Sequence, residues 1–279
     1  MRRAFMLFLL PTVLASALPA QQVTGGVTAG AVTLANGATQ SDLNAVLGVA
    51  PVPWLSVTAT LSRVHLSEVV SGSTATSNGF GDLPISLAIA RGLNGGWSPE
   101  FGAALDVSIP TGNSACGLGT GTTGFGADVG IGGSPNARTR LAASASRELS
   151  GTSGVSALSP SHATSLAIEA AYALTPRWTT SLSLSGDLGA ADSTQSLGRA
   201  IGAGARYELH QPLALTFDMG RGLTSGGSKW AIAIGFGTTF GGNNPVSGDL
   251  SSRRLSKVNS PGAGRGHGTG NAGKTTTCG

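Results

Sequence analysis

Seven ionisable residues, Asp106, Asp128, Glu169, Asp187, Arg206, Glu208 and Asp218, sit between small or apolar neighbours. Leu105 and Val107 flank Asp106, Ile168 and Ala170 flank Glu169, and Phe217 and Met219 flank Asp218. In an extended chain this alternation sends the charges to one face and the bulk to the other. Carboxylates and a guanidinium gathered on one face of a sheet can line a hydrated channel that selects or steers a small solute. They can equally form a closed polar plug, with Arg206 paired to nearby acids. The sequence leaves both arrangements open.

Other reactive side chains offer less. Arg63, His65 and Ser67 share an R-x-H-x-S spacing faintly like that of barrel lipid hydrolases, but Glu68 and Val69 stand where an Asn-Gly would follow. A serine nucleophile also needs an oriented base and a third group. His162, His210 and His267 are scattered, and neither they nor Cys116 and Cys278 have metal-ligand spacing, so no metal and no cofactor is expected. Gly117 to Gly126 is no phosphate loop, since no Gly-Lys-Ser/Thr follows and no helix is expected.

The elements that must hold the seven charges are strands. The clearest runs from Lys229 to Phe240, with Trp230, Ile232, Ile234, Phe236, Thr238 and Phe240 on one face and Ala231, Ala233, Gly235, Gly237 and Thr239 on the other. It is about twice the usual ~5 to 6 residues, a length suited to crossing a bilayer with the large face towards lipid. The same parity test gives twelve candidate strands between Gln22 and Phe240. The first, second and seventh are poorly patterned, and the third loses its alternation after Leu61.

Short Pro-containing turns (Ala50 to Pro53, Ser134 to Asn136, Thr175 to Arg177, His210 to Pro212) alternate with longer loops near Ser67 to Gly81, Pro110 to Thr122 and Gly151 to His162. This asymmetry belongs to outer-membrane barrels. The fold class expected is therefore all-β, a transmembrane antiparallel up-and-down β-barrel of twelve strands. Trp54, Trp97, Phe101, Tyr172, Trp178, Tyr207 and Phe240 all fall on the short-turn side, as an interfacial girdle requires. A charge facing lipid costs about 2 to 4 kcal/mol at the midplane for a basic group, so the seven charged residues should line the interior.

Three regions follow. Residues 1–20, with Arg2, Arg3, an apolar run and Leu18-Pro19-Ala20, read as a signal peptide. Residues 21–240 form the barrel. Residues 241–279, rich in Gly, Ser and Asn and without periodicity, read as a disordered basic periplasmic tail. Of the net +4, the leader holds +2 and the tail +4, which leaves −2 for the barrel and removes the case for nucleic acid. Cys116 falls in a long loop and Cys278 in the tail, at opposite ends of the barrel. A disulfide needs Cα atoms within about 7 Å, so no bond is expected between them.

Two loop motifs remain. Gly79-Phe80-Gly81-Asp82 precedes the fourth strand, and Ile109-Pro110-Thr111-Gly112 follows the fifth, with Leu118-Gly119-Thr120-Gly121-Thr122 leading into a Gly-rich sixth. This order resembles the transporter-like outer-membrane family named for the meta-pathway of phenol degradation. The resemblance implies a barrel that admits small, often aromatic or hydrophobic, compounds. It names no substrate, and the glycines also suit tight loops with no contact to solute.

The functional expectation is a passive conduit for a small solute in the outer membrane, with both termini periplasmic. The alternatives are a closed structural or surface-binding barrel and, behind it, a lipid hydrolase. Expected partners are outer-membrane lipids, a small-molecule solute and the barrel-assembly machinery, which reads a terminal aromatic strand.

Overall fold

The computed structural model describes residues 22–33, 37–70, 73–93, 96–150, 164–188, 199–210, 213–224 and 229–240. The expected leader and tail lie outside the described residues. In chain order the strands are β1 Gln22–Thr33, β2 Thr39–Val52, β3 Leu55–Val70, β4 Ser73–Phe80, β5 Leu83–Gly92, β6 Glu100–Ile109 and β7 Gly124–Asn136. They continue with β8 Thr139–Ser150, β9 Thr164–Ala173, β10 Trp178–Leu188, β11 Arg199–His210, β12 Leu213–Gly222 and β13 Trp230–Phe240. A single 3-10 turn, Ser114–Cys116, lies between β6 and β7.

Every pairing is antiparallel, and the sheet closes on itself because β1 pairs with β13 as well as with β2. Val23 faces Phe240 at one rim and Thr33 faces Trp230 at the other. β3 pairs with β5 along its lower half, Leu55 opposite Ile89, and with β4 along its upper half, Arg63 opposite Phe80. β4 and β5 are thus two segments of one stave, and the barrel has twelve. Closure leaves no unpaired edge along the wall, which is the condition for a sheet to sit in hydrocarbon.

The stretch from Ser67 to Gly81, expected as a loop, is corrected by this hairpin. β3 runs on to Val70 and returns as β4, so paired backbone projects beyond the wall on the long-loop side. The same geometry explains why the third strand lost its alternation after Leu61. Parity in fact continues, with Arg63 and His65 outward and Val64 and Leu66 inward, but the segment has left the apolar belt and no longer needs lipid-facing bulk.

Along the wall the two faces separate by size. Leu105, Val129, Ile168, Leu182, Ile201, Phe217, Ile232 and Ile234 all stand exposed, Leu182 the most at 64%. A row of exposed large side chains around a whole sheet is what a soluble protein avoids and a bilayer rewards. The aromatics expected at the short-turn rim are there: Trp54, Trp97, Phe101, Tyr172 and Trp178 are exposed. The rings of Trp178 and Tyr207 lie 4.7 Å apart at 37°. The side chain of Phe240 lies outside the described residues. Phe80, Phe125 and Trp230 mark the long-loop side, so aromatics stand at both ends of the wall.

Candidate functional site

Strand parity carries all seven charged residues to the inner wall, each beside small cross-strand neighbours. Asp106 stands between Ser86 and Gly126, Asp128 between Ala104 and Ser146, and Glu169 between Ala142 and Ser183. Asp187 is opposite Ser165, whose hydroxyl donates to it. Arg206 lies between Thr179 and Thr216, Glu208 opposite Ala214, and Asp218 between Gly204 and Ala233. Large groups are outside and small ones inside, so the charged side chains have room to project. At Gly204 an added Cβ would sit 2.6 Å from Asp218 Oδ1, so that carboxylate lies directly over the glycine.

Three inward charges of the wall were not singled out from sequence, Asp42 on β2, Glu100 on β6 and Arg140 on β8, and Glu68 shares their face on the β3–β4 hairpin beyond the wall. Two of them sit on strands with weak alternation, and Glu100 opens its strand. Counting them, the described inner wall carries eight carboxylates (Asp42, Glu100, Asp106, Asp128, Glu169, Asp187, Glu208, Asp218) and two guanidiniums (Arg140, Arg206). Arg140 bonds Glu100 at 2.9 Å. Arg206 and Glu208 are 3.9 Å apart with side-chain exposures of 45% and 44%. An exposed pair of that kind contributes about 0 to 1 kcal/mol, too little for Arg206 to lock a plug. Asp106, Asp128, Glu169 and Asp187 each make further contacts.

The bore is lopsided. Inner residues of β8 to β11 keep intermediate or greater exposure, whereas on the opposite side Asn44, Thr28, Ser62 and Ala233 are buried, Asn44 completely. Asn44 donates to the Asp42 carboxylate from this covered side.

The two loop motifs and the Leu118 to Thr122 stretch that follows them meet at one carboxylate. Asp82 occupies the break between β4 and β5, and its Oδ1 accepts from the Gly112 amide at 3.0 Å. Its Oδ2 accepts from the Thr120 amide at 2.7 Å and the Thr120 hydroxyl at 2.8 Å. The Thr111 hydroxyl donates to the Gly81 carbonyl at 2.9 Å. The loop from 110 to 123 is therefore latched at both ends of its fold. Between the latches the Asn113 side chain caps the 3-10 turn through the Ala115 amide, and Leu118 settles over Gly79 and Gly81 near the inward Val64 and Ser62. The loop turns towards the bore at its long-loop mouth. The sequence places Asp82 at the end of the first motif but shows no partner for it; a lone carboxylate between a glycine loop and a strand is the available signal.

Gly112 and Gly119 owe their identity to this approach. A Cβ on Gly112 would lie 2.5 Å from the Leu118 carbonyl oxygen, and one on Gly119 would lie 2.8 Å from Gly112 Cα and collide with the Asp82 carboxylate. Backbone cannot swing aside as a side chain can. Gly119→Ala is expected to undock the loop while the wall stays folded. Hydrogen exchange will show it as lost protection of the Thr120 amide with strand amides unchanged, and retained protection at Thr120 would refute the account.

Cys116 is disulfide-bonded, and among the described residues no cysteine is free. Cys278 is the one other cysteine of the sequence, so the expectation of no bond between the two is corrected here. It placed them at opposite ends of the barrel and did not consider how far the chain after Phe240 can reach. Cys278 itself lies outside the described residues. Arg63, His65 and Ser67 share the outer face of the β3–β4 hairpin, where their cross-strand neighbours (Leu43, Ser41, Thr39, Phe80, Asn78, Thr76) include no carboxylate. Among the described residues no group of three or more His, Cys, Asp or Glu is placed to hold a metal.

A closed twelve-stranded antiparallel barrel, apolar outside and charged inside, defines an outer-membrane barrel of the porin-like class. Residues 19–240 match the family described as "Putative MetA-pathway of phenol degradation", and the chain belongs to that family. No curated protein matches the sequence. Among solved structures it is similar to an outer membrane channel from Pseudomonas putida F1, at 15% identity over 80% of this chain and 97% of that one, with a TM-score of 0.63. It is also similar to the KdgM porin, at 9% identity over 78% and 99% of the two chains, TM-score 0.53. A further structure of that porin, in complex with disordered oligogalacturonate, aligns over 77% and 99% at 9% identity, TM-score 0.51. At these identities the likeness is one of fold.

Proposed function

We propose that the barrel is a passive conduit for a small neutral or cationic solute, aromatic compounds included. The observation that supports this best is the inner wall, where eight carboxylates face two guanidiniums and the β8 to β11 side stays accessible. Net negative lining attracts cations and repels anions at short range, where screening is incomplete. A polyanionic oligosaccharide is therefore a poor candidate. The family description is the support for an aromatic solute.

In this reading the short-turn rim and both ends of the barrel chain face the periplasm, and the seven charged residues contact the solute or its water. The exposed rows contact outer-membrane lipid, and β13 is the strand offered to the assembly machinery. A second reading, a barrel closed for structural or surface-binding duty, draws on the loop that turns inward over Val64 and Ser62.

Reversal potentials in planar bilayers under a potassium chloride gradient separate the two. The conduit reading expects current steps that favour the cation, with selectivity reduced in Asp106→Asn and Asp218→Asn. Well-folded protein giving no steps, both intact and without residues 241–279, would establish the closed barrel for ions and hydrophilic solutes.

A further inference from the structure

The charges of the wall divide by face. Register sends the strand carboxylates inward, and among the described strands none stands at an outward position. Arginines do: Arg63 on β3, Arg91 on β5, Arg147 on β8, Arg199 on β11 and Arg221 on β12 are all outward and exposed. None of the five makes an ion pair among the described residues.

Four of them gather at the long-loop rim. Arg63 is opposite Phe80, Arg221 is opposite Trp230, and Arg147 is opposite Ala127, two residues along β7 from Phe125. The Leu223 amide donates to the Arg199 carbonyl, so Arg221, two residues before Leu223, is the diagonal neighbour of Arg199 on the same face. These arginines therefore stand at the level of the rings that mark the edge of the apolar belt. Only Arg91, opposite Phe101, lies at the short-turn rim.

A basic side chain is costly at the midplane and cheap at the interface, where its stem covers apolar surface and its head reaches the headgroups. That explains the depth but leaves the charge unanswered. Diagonal neighbours on adjacent strands lie about 7 to 8 Å apart, so Arg199 and Arg221 repel one another with no carboxylate on their face to relieve it. The anions held at that depth outside the wall are lipid phosphates, which a guanidinium fork grips through two parallel bonds. Below the pair, Ile201, Met219 and Ile232 form an exposed apolar track on β11 to β13, suited to acyl chains.

We propose that Arg199, Arg221 and Trp230 form a binding site for the phosphorylated glycolipid of the outer leaflet, lipopolysaccharide, whose headgroup phosphates bridge the two guanidiniums while its acyl chains lie along Ile201, Met219 and Ile232. Transport plays no part in this. The site rests on the orientation given above, with the long-loop side outward.

Titration of the full-length protein in dodecyl maltoside with bisphosphorylated lipid A tests the site, with heat-modifiable migration on gels to show that each variant is folded. Arg199→Gln combined with Arg221→Gln is expected to weaken binding at least about tenfold, since two charges at the membrane surface are lost. Arg91→Gln should leave it unchanged. Phosphatidylglycerol, with a single phosphate and no sugar, should bind at least about tenfold more weakly than lipid A. Native affinity in the folded double variant, an equal loss in Arg91→Gln, or equal affinity for phosphatidylglycerol overturns the proposal and leaves the orientation standing.

Orientation is read separately, from an epitope inserted between β3 and β4. Staining of intact cells is expected. An epitope reached only in broken cells overturns the orientation, and the proposal with it, whatever the binding in detergent.

Discussion

Replacing Asp82 with alanine is expected to release the loop from 110 to 123 without unfolding the barrel. The carboxylate receives two backbone amides and one hydroxyl. Hydrogen bonds to charged groups contribute roughly 1.5 to 3 kcal/mol each. Asp82 is only partly buried, so the lower part of that range applies and water recovers some of the loss. A net cost of about 3 kcal/mol would lower the docking equilibrium constant roughly a hundredfold. The measurement is hydrogen exchange at the Gly112 and Thr120 amides, which should quicken by about that factor. Asp82→Asn keeps one acceptor and should fall between the two. Native protection in Asp82→Ala would mean that the packing of Leu118 over Gly79, and not the carboxylate, holds the loop.

The second large effect belongs to the outer face. Leu182, the most exposed large apolar residue of the wall, sits mid-strand on β10 opposite Ala170 and Ala203. Leu182→Arg should cost about 2 to 4 kcal/mol of folding stability in bilayers, the range for a basic side chain near the midplane. Ser183→Arg, one position along and facing the bore, should cost much less because its charge meets water and the nearby Glu169. Denaturant titration in lipid vesicles reads both. Equal effects of the two would contradict the assignment of faces, and with it the membrane setting.

The asymmetry between neighbouring residues is also why so much could be read from the chain. Period-two alternation is a local property, so the runs of Trp230 to Phe236, Phe101 to Ile109 and Leu213 to Met219 declared strand, face and environment without reference to partners. The inner placement of the seven charges followed from the same parity. Where alternation failed, its cause was tertiary. Val64 and Leu66 read as a slip because the loop that covers them, some fifty residues on, cannot be seen from β3. Asp42 and Arg140 escaped notice on strands whose bulky rows are sparse.

By itself, then, the sequence determined a twelve-stave barrel, its lipid face and its charged bore, because a closed sheet in hydrocarbon imposes the same two-residue rule on every strand. Tertiary structure alone decided what depends on distant segments meeting. It brought Asp82 to Gly112 and Thr120, turned the loop from 110 to 123 towards the bore, extended β3 and β4 beyond the wall and bonded Cys116. Such contacts depend on how closed strands space their loops, and one carboxylate or one thiol carries no periodicity from which its partner can be inferred.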